Sequence, residues 1–436
     1  MRKQSEILTI LSTSVIVVLL ALFLVGCDEK TAKNTTHKEE KRNTIPTEAK
    51  NTLTMTPDEI MTCTPTSIDG PMATDTPVPT YTPSLTVTPS TPQIGGKMFP
   101  IAISEDNFPD EVFRNYVLEK LDTNGGLGID EFEVAAATKI DVSGMDIESL
   151  KGIEFFAEVQ ELNCDGTPIT ELDLRHNFKL KKLSCTQTLL SKLDLSNNNA
   201  LTELICQYNT QLIYLDVRDN NSLKHLYCSN NEQLRSLNIG YTPNLEVFQC
   251  DSNNLESIDV SRCPSLVNFD CSNNRLTKIV LGSKAELLHL YCENNNIEAL
   301  DVSECPNLVN LFCGSNNLLS LNVSNNAKLS VLGCESNILA ELDVSRNGEL
   351  HQIDCNGNQL TSLDVSKHRS LNELDCSNND LTEIFLDETY ALATLKCKGN
   401  SRLKKVDVSK CRALKIIECD VDIVTIKGAN RDVTIQ

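Results

Sequence analysis

The stretch LVNFDCSNNRLTKIVL, residues 266–281, decides the fold. It holds one cysteine, Cys271, inside an apolar run, with Asn274 three places later. Leu266 stands five before the cysteine, Phe269 two before and Leu276 five after. Twenty-one residues on, Cys292 and Asn295 repeat the arrangement. The full column is Cys164, Cys185, Cys206, Cys228, Cys250, Cys271, Cys292, Cys313, Cys334, Cys355, Cys376, Cys397 and Cys419, always 21 or 22 apart. Such cysteines could be metal ligands, disulfide halves, catalytic thiols or packing.

The residues around the column choose among these. Two before each cysteine is apolar, from Leu162 to Ile417, and so is five before, from Val159 to Leu414. Three after is Asn in ten successive units, Asn209 to Asn400. Each unit has a second half, Leu-Asp-Val or a close relative, as at Leu300-Asp301-Val302 and Leu363-Asp364-Val365. A period-2 alternation in both halves predicts a short strand on each side of a coil, and two parallel ladders along the stack. At ~4.8 Å per coil, thirteen coils span roughly 58 Å.

Within a strand the cysteine alternates with an inward leucine, so its side chain faces the core. Free Cys is well tolerated there. Parallel, in-register Cβ vectors point the same way, which suits a disulfide torsion poorly. Metal binding calls for converging clusters such as CxxC, and none occurs. Packing is therefore the expected role. Cys263, Cys305 and Cys411 stand instead at the turn after the second strand, plugging a corner. The Asn amides are expected to satisfy backbone groups where each coil leaves its strand. The Asp column (Asp194, Asp259, Asp343) is expected to accept hydrogen bonds from the next turn, where Ser commonly sits two residues later.

The LxxLxCxxNxL hallmark over about 153–420 resembles the leucine-rich repeat, in its short bacterial Cys/Asn class, and the chain is similar to internalin-like surface proteins. The resemblance implies an α/β solenoid, mostly parallel β, that binds a macromolecule by contact. In such repeats the outward residues flanking the inward cysteine form the ligand face. Those expected to bind are His225, Tyr227, Gln249, Asp270, His289, Tyr291, Asn310 and Phe312, read as exposed aromatic, His and polar anchors in an aromatic-poor chain. The competing reading is that outward strand positions favour aromatics anyway.

Outside the repeat the chain divides further. Arg2 and Lys3 precede an apolar run that ends Leu24-Val25-Gly26-Cys27, similar to a bacterial lipobox. That resemblance implies lipidation at Cys27, and a surface-exposed lipoprotein held to the cell membrane by its N-terminal lipid alone. Residues 28–97 are a Thr/Pro-rich stalk that cannot bury a core and contains Cys63. Residues 98–152 are expected to form a small helical N-terminal cap. There DTNGGLGIDEFE, residues 122–133, resembles an EF-hand loop, which implies calcium held by Asp122, Asn124, the Gly128 carbonyl, Asp130 and Glu133. Two positions depart from that pattern. Gly126 offers no ligand, and Leu127 stands where the turn wants glycine. Residues 421–436 read as a closing strand.

The net charge of −21 disfavours a nucleic-acid surface. No GxSxG, P-loop, HExxH or dinucleotide glycine pattern occurs, and no stretch is left over for an enzyme domain. The expected function is protein binding or adhesion at the cell surface, without catalysis. A glycan-binding module and a structural spacer are the alternatives.

Overall fold

The computed structural model describes residues 99–436 except 127 and 423. Cys27 and the stalk at 28–97 lie outside the described residues. The repeat forms a parallel-β solenoid built on one fifteen-stranded sheet, whose strands follow one another in chain order except for those of the opposite wall. It runs from Lys139–Asp141 to Thr434–Ile435. The three-residue strands pair in exact phase, as in Leu290↔Leu311↔Leu332. In the ladder strands from Glu161–Asn163 to Ile416–Glu418 the middle residue and the cysteine after it face inward and are buried. A single coil exposes this apolar face and cannot bury it; stacking does so for its neighbours, at about 1.5–3 kcal/mol per leucine. Phe248 and Phe269 stack in the core, 5.2 Å between centroids.

The sixteen cysteines from Cys164 to Cys419 are free and buried, as packing requires. Burial pushes the ladder thiols well above their usual range, so they hold no thiolate. Several donate to the next strand's carbonyl, for example Cys376 Sγ to Lys396 O at 3.3 Å. Cys263 and Cys411 fill the corner slot, where they meet Thr242 and Thr389 hydroxyls at 3.2 and 3.3 Å. In other coils that slot holds Asn, as at Asn326, whose amide donates to Val302 O and Cys305 O.

The Asn column ties coil to coil. Asn274 Nδ2 donates to the Cys250 and Cys271 carbonyls, at 2.9 and 3.2 Å, while its Oδ1 accepts from Leu255 N at 3.0 Å. The Asp column caps its own turn, with Ser261 N donating to Asp259 and Ser345 N to Asp343, each at 2.9 Å. One further column was not foreseen. The residue two after each cysteine is left-handed from Gln187 to Asn378, with φ of 52–61° at non-glycine positions, and Gly166, Gly357 and Gly399 share it. The chain turns out of the strand there, which explains the Asn, Ser and Gly found in that place.

The structure adds detail to the second ladder and to both ends of the repeat. The second ladder is intermittent: four two-stranded patches form, such as Ser257–Asp259 with Lys278–Val280. The first sheet strand, Lys139–Asp141, falls inside the segment assigned to the cap. Residues 421–436 supply two strands, Thr425–Lys427 and Thr434–Ile435, which continue both walls by one more coil. The cap has helix Glu111–Tyr116, capped by Asp110 through Phe113 N, and a π-helical turn Val117–Leu121. Its buried Phe108 and Phe113, with Phe156, close the first coil's open end. Among the described residues no helix is long and apolar enough to cross a membrane.

Candidate functional site

The outer face of the long sheet is written by the residues one and three before each cysteine, with the residue after it at the rim. All eight expected anchors stand on this face, on five consecutive strands from His225–Tyr227 to Asn310–Phe312. Their exposure is lower than the sequence suggested. Tyr227 is 6% exposed, Gln249 4% and Asp270 3%. Side chains on a parallel sheet sit one strand spacing apart and cover one another, so an outward position is not by itself a wet one. His225, His289, Tyr291, Asn310 and Phe312 remain part-exposed.

Tyr291 and Phe312 form the centre. Their rings stack at 5.3 Å between centroids and 10° between planes. The next residue of that column is Gly333, which lacks a side chain and is overlapped by the Phe312 ring. Glu335 lies across Gly314: a Cβ there would meet its carboxylate at 2.1 Å. His225 and Tyr227 make a second, looser aromatic pair at 6.3 Å. His225 Nδ1 is 3.9 Å from Glu203, which also takes Lys182 at 3.0 Å. These contacts outweigh burial and hold Glu203 down at about 2.

The middle of the face is acidic in a way single residues did not reveal. Burial, followed by the Asp251 carboxylate, pushes Asp270 up. Burial, followed by Glu335 and Asp270, pushes Glu293 up to about 7. Burial also raises Glu335 and Asp354. Reading the positions after each cysteine as one column, with Glu293 and Glu335 flanking Gly314, was the signal available for this.

The EF-hand-like loop is assembled, but from within. Glu133 Oε1 accepts from Thr123 N at 2.6 Å and Asn124 N at 3.1 Å, and Oε2 from Asp130 N at 3.0 Å. Burial pushes this carboxyl up, the amides more than offset it, and it ends below its usual range. Asp122 Oδ1 accepts from Gly125 and Gly126 N, and Asn124 Nδ2 donates to Asp130. Gly128 forms an antiparallel bridge with Ala102, so close that a Cβ would stand 2.3 Å from Ile101 O. Of the loop's described side-chain oxygens, Asp122 Oδ2 is buried without a partner. Among the described residues no group of three His, Cys, Asp or Glu could hold a metal ion. In this arrangement the carboxylates expected to ligate calcium accept hydrogen bonds from the loop's own backbone.

No family model matches the chain, and no curated protein matches it. Among solved structures, the leucine-rich repeat domain of APL1B is 21% identical over 67% of this chain and 89% of that one, with a TM-score of 0.55. The functional domain of InlJ from Listeria monocytogenes, which includes a cysteine ladder, is 27% identical over 72% of this chain and 80% of that one, with a TM-score of 0.49. The internalin InlF of the same organism is 19% identical over 70% and 96%, at 0.46. The fold is that of the leucine-rich repeat.

Proposed function

We propose that this protein is a lipid-anchored surface protein that binds a protein partner through the outer face of its long sheet, by contact and without catalysis. The observation that carries the reading is the Tyr291–Phe312 stack, part-exposed at the centre of that face. Stacked aromatics supply large contact area with little side-chain freedom left to lose, which is the character of binding anchors. The Leu24-Val25-Gly26-Cys27 sequence supports an anchor on Cys27, and the Thr/Pro stretch supports a stalk that carries the solenoid away from the membrane.

The test measures binding of the full chain to extracted surface proteins and to wall glycans, beside a Tyr291→Ala/Phe312→Ala variant. Capture that protease treatment of the target abolishes, glycosidase spares and the folded double variant loses supports the reading. Capture that only glycosidase abolishes makes the face a glycan site. Absence of binding to either leaves a spacer. In cells, Cys27→Ser is expected to release the protein from the membrane fraction; retention of that variant would remove the lipid anchor.

A further inference from the structure

The six coils from Cys250 to Cys355 carry Asp251, Asp270, Glu293, Glu335 and Asp354 at their outward positions, and no lysine or arginine there. Cations stand only beyond them: Lys182 against Glu203 on one side, and Lys396 on the other, 3.6 Å from Glu373 and 3.7 Å from Asp375. Among the described residues, no ion pair reaches the five central carboxylates. Three are held by neutral donors instead: Asp251 by Ser229, Asp270 by Ser272 and Asp354 by Asn356. The five span roughly 24 Å at ~4.8 Å per coil, with Asp251 and Asp270 buried and Glu293, Glu335 and Asp354 part-exposed. Through this stretch runs the aromatic stack, ending at Gly333, where the Phe312 ring leans over the glycine.

Resting on the reading of this face as a protein-binding surface, we infer that its occupant is a lysine- or arginine-rich segment. One cationic side chain lies over the Phe312 ring, beside Glu335. Each part of the arrangement has a use in that complex. A ring flanked by carboxylates attracts a cation both by its π face and by charge. The glycine lets the Phe312 ring lean over its position and puts no side chain of the next coil against that ring. Burial pushes Glu293 up, the neighbouring Glu335 and Asp270 carboxylates add to it, and a cationic partner offsets that second part. A roughly 24 Å stretch fits about seven residues of extended peptide.

The test titrates the full chain with fluorescein-labelled oligo-arginine, oligo-lysine and glycine–serine peptides of about nine residues, followed by anisotropy. The triple variant Asp270→Asn/Glu293→Gln/Glu335→Gln is compared with Asp259→Asn/Asp301→Asn/Asp343→Asn. This control removes equal charge from the opposite wall, where Asn322 already caps its turn through Ser324 N. The wild type is expected to bind the cationic peptides and not the neutral one. The face variant should bind about tenfold more weakly, and the control within about twofold of wild type. Phe312→Ala should weaken arginine binding as well, with its melting curve showing that it folds. Equal losses in the face variant and the control would reduce the effect to bulk charge and overturn the inference. So would undiminished binding by the folded face variant. If the folded face variant still captures the protein target of the previous test while the Tyr291→Ala/Phe312→Ala variant does not, protein binding stands and the cationic occupant falls.

Discussion

The Phe312 ring covers Gly333 so closely that a methyl group on the glycine would stand 2.9 Å from Phe312 Cδ1. The aromatic column therefore ends where it does because the next coil has no side chain to continue it. Gly333→Val is expected to push the Phe312 ring off its stack with Tyr291 and to weaken target binding by about tenfold. The fold should survive, since the ring is the part that can give way. Binding at the wild-type level by the folded variant would show that the stack does not position the ligand.

Asn316 is expected to be among the most costly surface-to-core polar residues to remove. Its Nδ2 donates to the carbonyls of Cys292, Cys313 and Gly314, and its Oδ1 accepts from Ile297 N at 3.0 Å. Asn316→Ala strands one buried amide and at least one carbonyl, at about 2–4 kcal/mol. Asn316→Asp keeps the shape but loses the donors and buries a charge, so it should cost more at pH 7 than the alanine. Chemical denaturation of the two variants decides this; a loss under about 1 kcal/mol in both would remove the amide column from the stability of the stack.

The two columns just used were readable from the chain because each needs one residue type at one spacing. Cys271 alternates with Phe269 and so must face inward; Asn274 stands where the strand ends and its backbone needs partners. The second wall was less readable. Alternation in Leu300-Asp301-Val302 reports which side chains point inward, not whether neighbouring backbones come close enough to pair, and that segment forms no strand. Exposure was misjudged for the same kind of reason. Tyr227 and Asp270 do face outward, but their cover comes from residues 21 or 22 away. The loop at 122–133 shows a third case. Its pattern matches a metal loop, and Glu133 also accepts from the Thr123 and Asp130 amides, contacts that no spacing rule displays.

The cysteines are expected to be silent in the folded protein. All sixteen from Cys164 onward are buried and unpaired, and burial raises their thiols. A thiol reagent at pH 8 should leave them unmodified in buffer and modify all sixteen in strong denaturant. Reaction of ladder thiols in the native state, or a rise of fewer than sixteen reactive thiols on denaturation without reductant, would contradict packing as their role; Cys27 and Cys63 stand outside this count. Within the ladder, Cys313→Ala should cost less than Cys313→Ser, since the hydroxyl is a stronger polar group than the thiol and is harder to bury.

The acidic face sets the pH dependence of stability, and two windows of opposite sign meet in it. Glu293 is pushed up to about 7, by burial and then by Glu335, from an unfolded value near ~4.3. Between these values the folded protein keeps a proton that the unfolded chain has lost. Stability therefore falls as pH rises through that window, and Asp270 adds to the slope in the same direction. Glu203 behaves oppositely. Its contacts with His225 and Lys182 hold it at about 2, so its contribution is present above the unfolded value and is lost as pH falls toward 2. The melting temperature should thus peak between about pH 4 and 5 and decline toward pH 8. Glu293→Gln removes the proton and should flatten the alkaline decline, raising the melting temperature at pH 8 more than at pH 4.5. A decline as steep in Glu293→Gln as in the wild type would show that Glu293 does not keep its proton in the folded protein. Added oligo-arginine should raise the wild-type melting temperature at pH 8 and change Glu293→Gln less, because the peptide relieves a charge that the variant no longer carries.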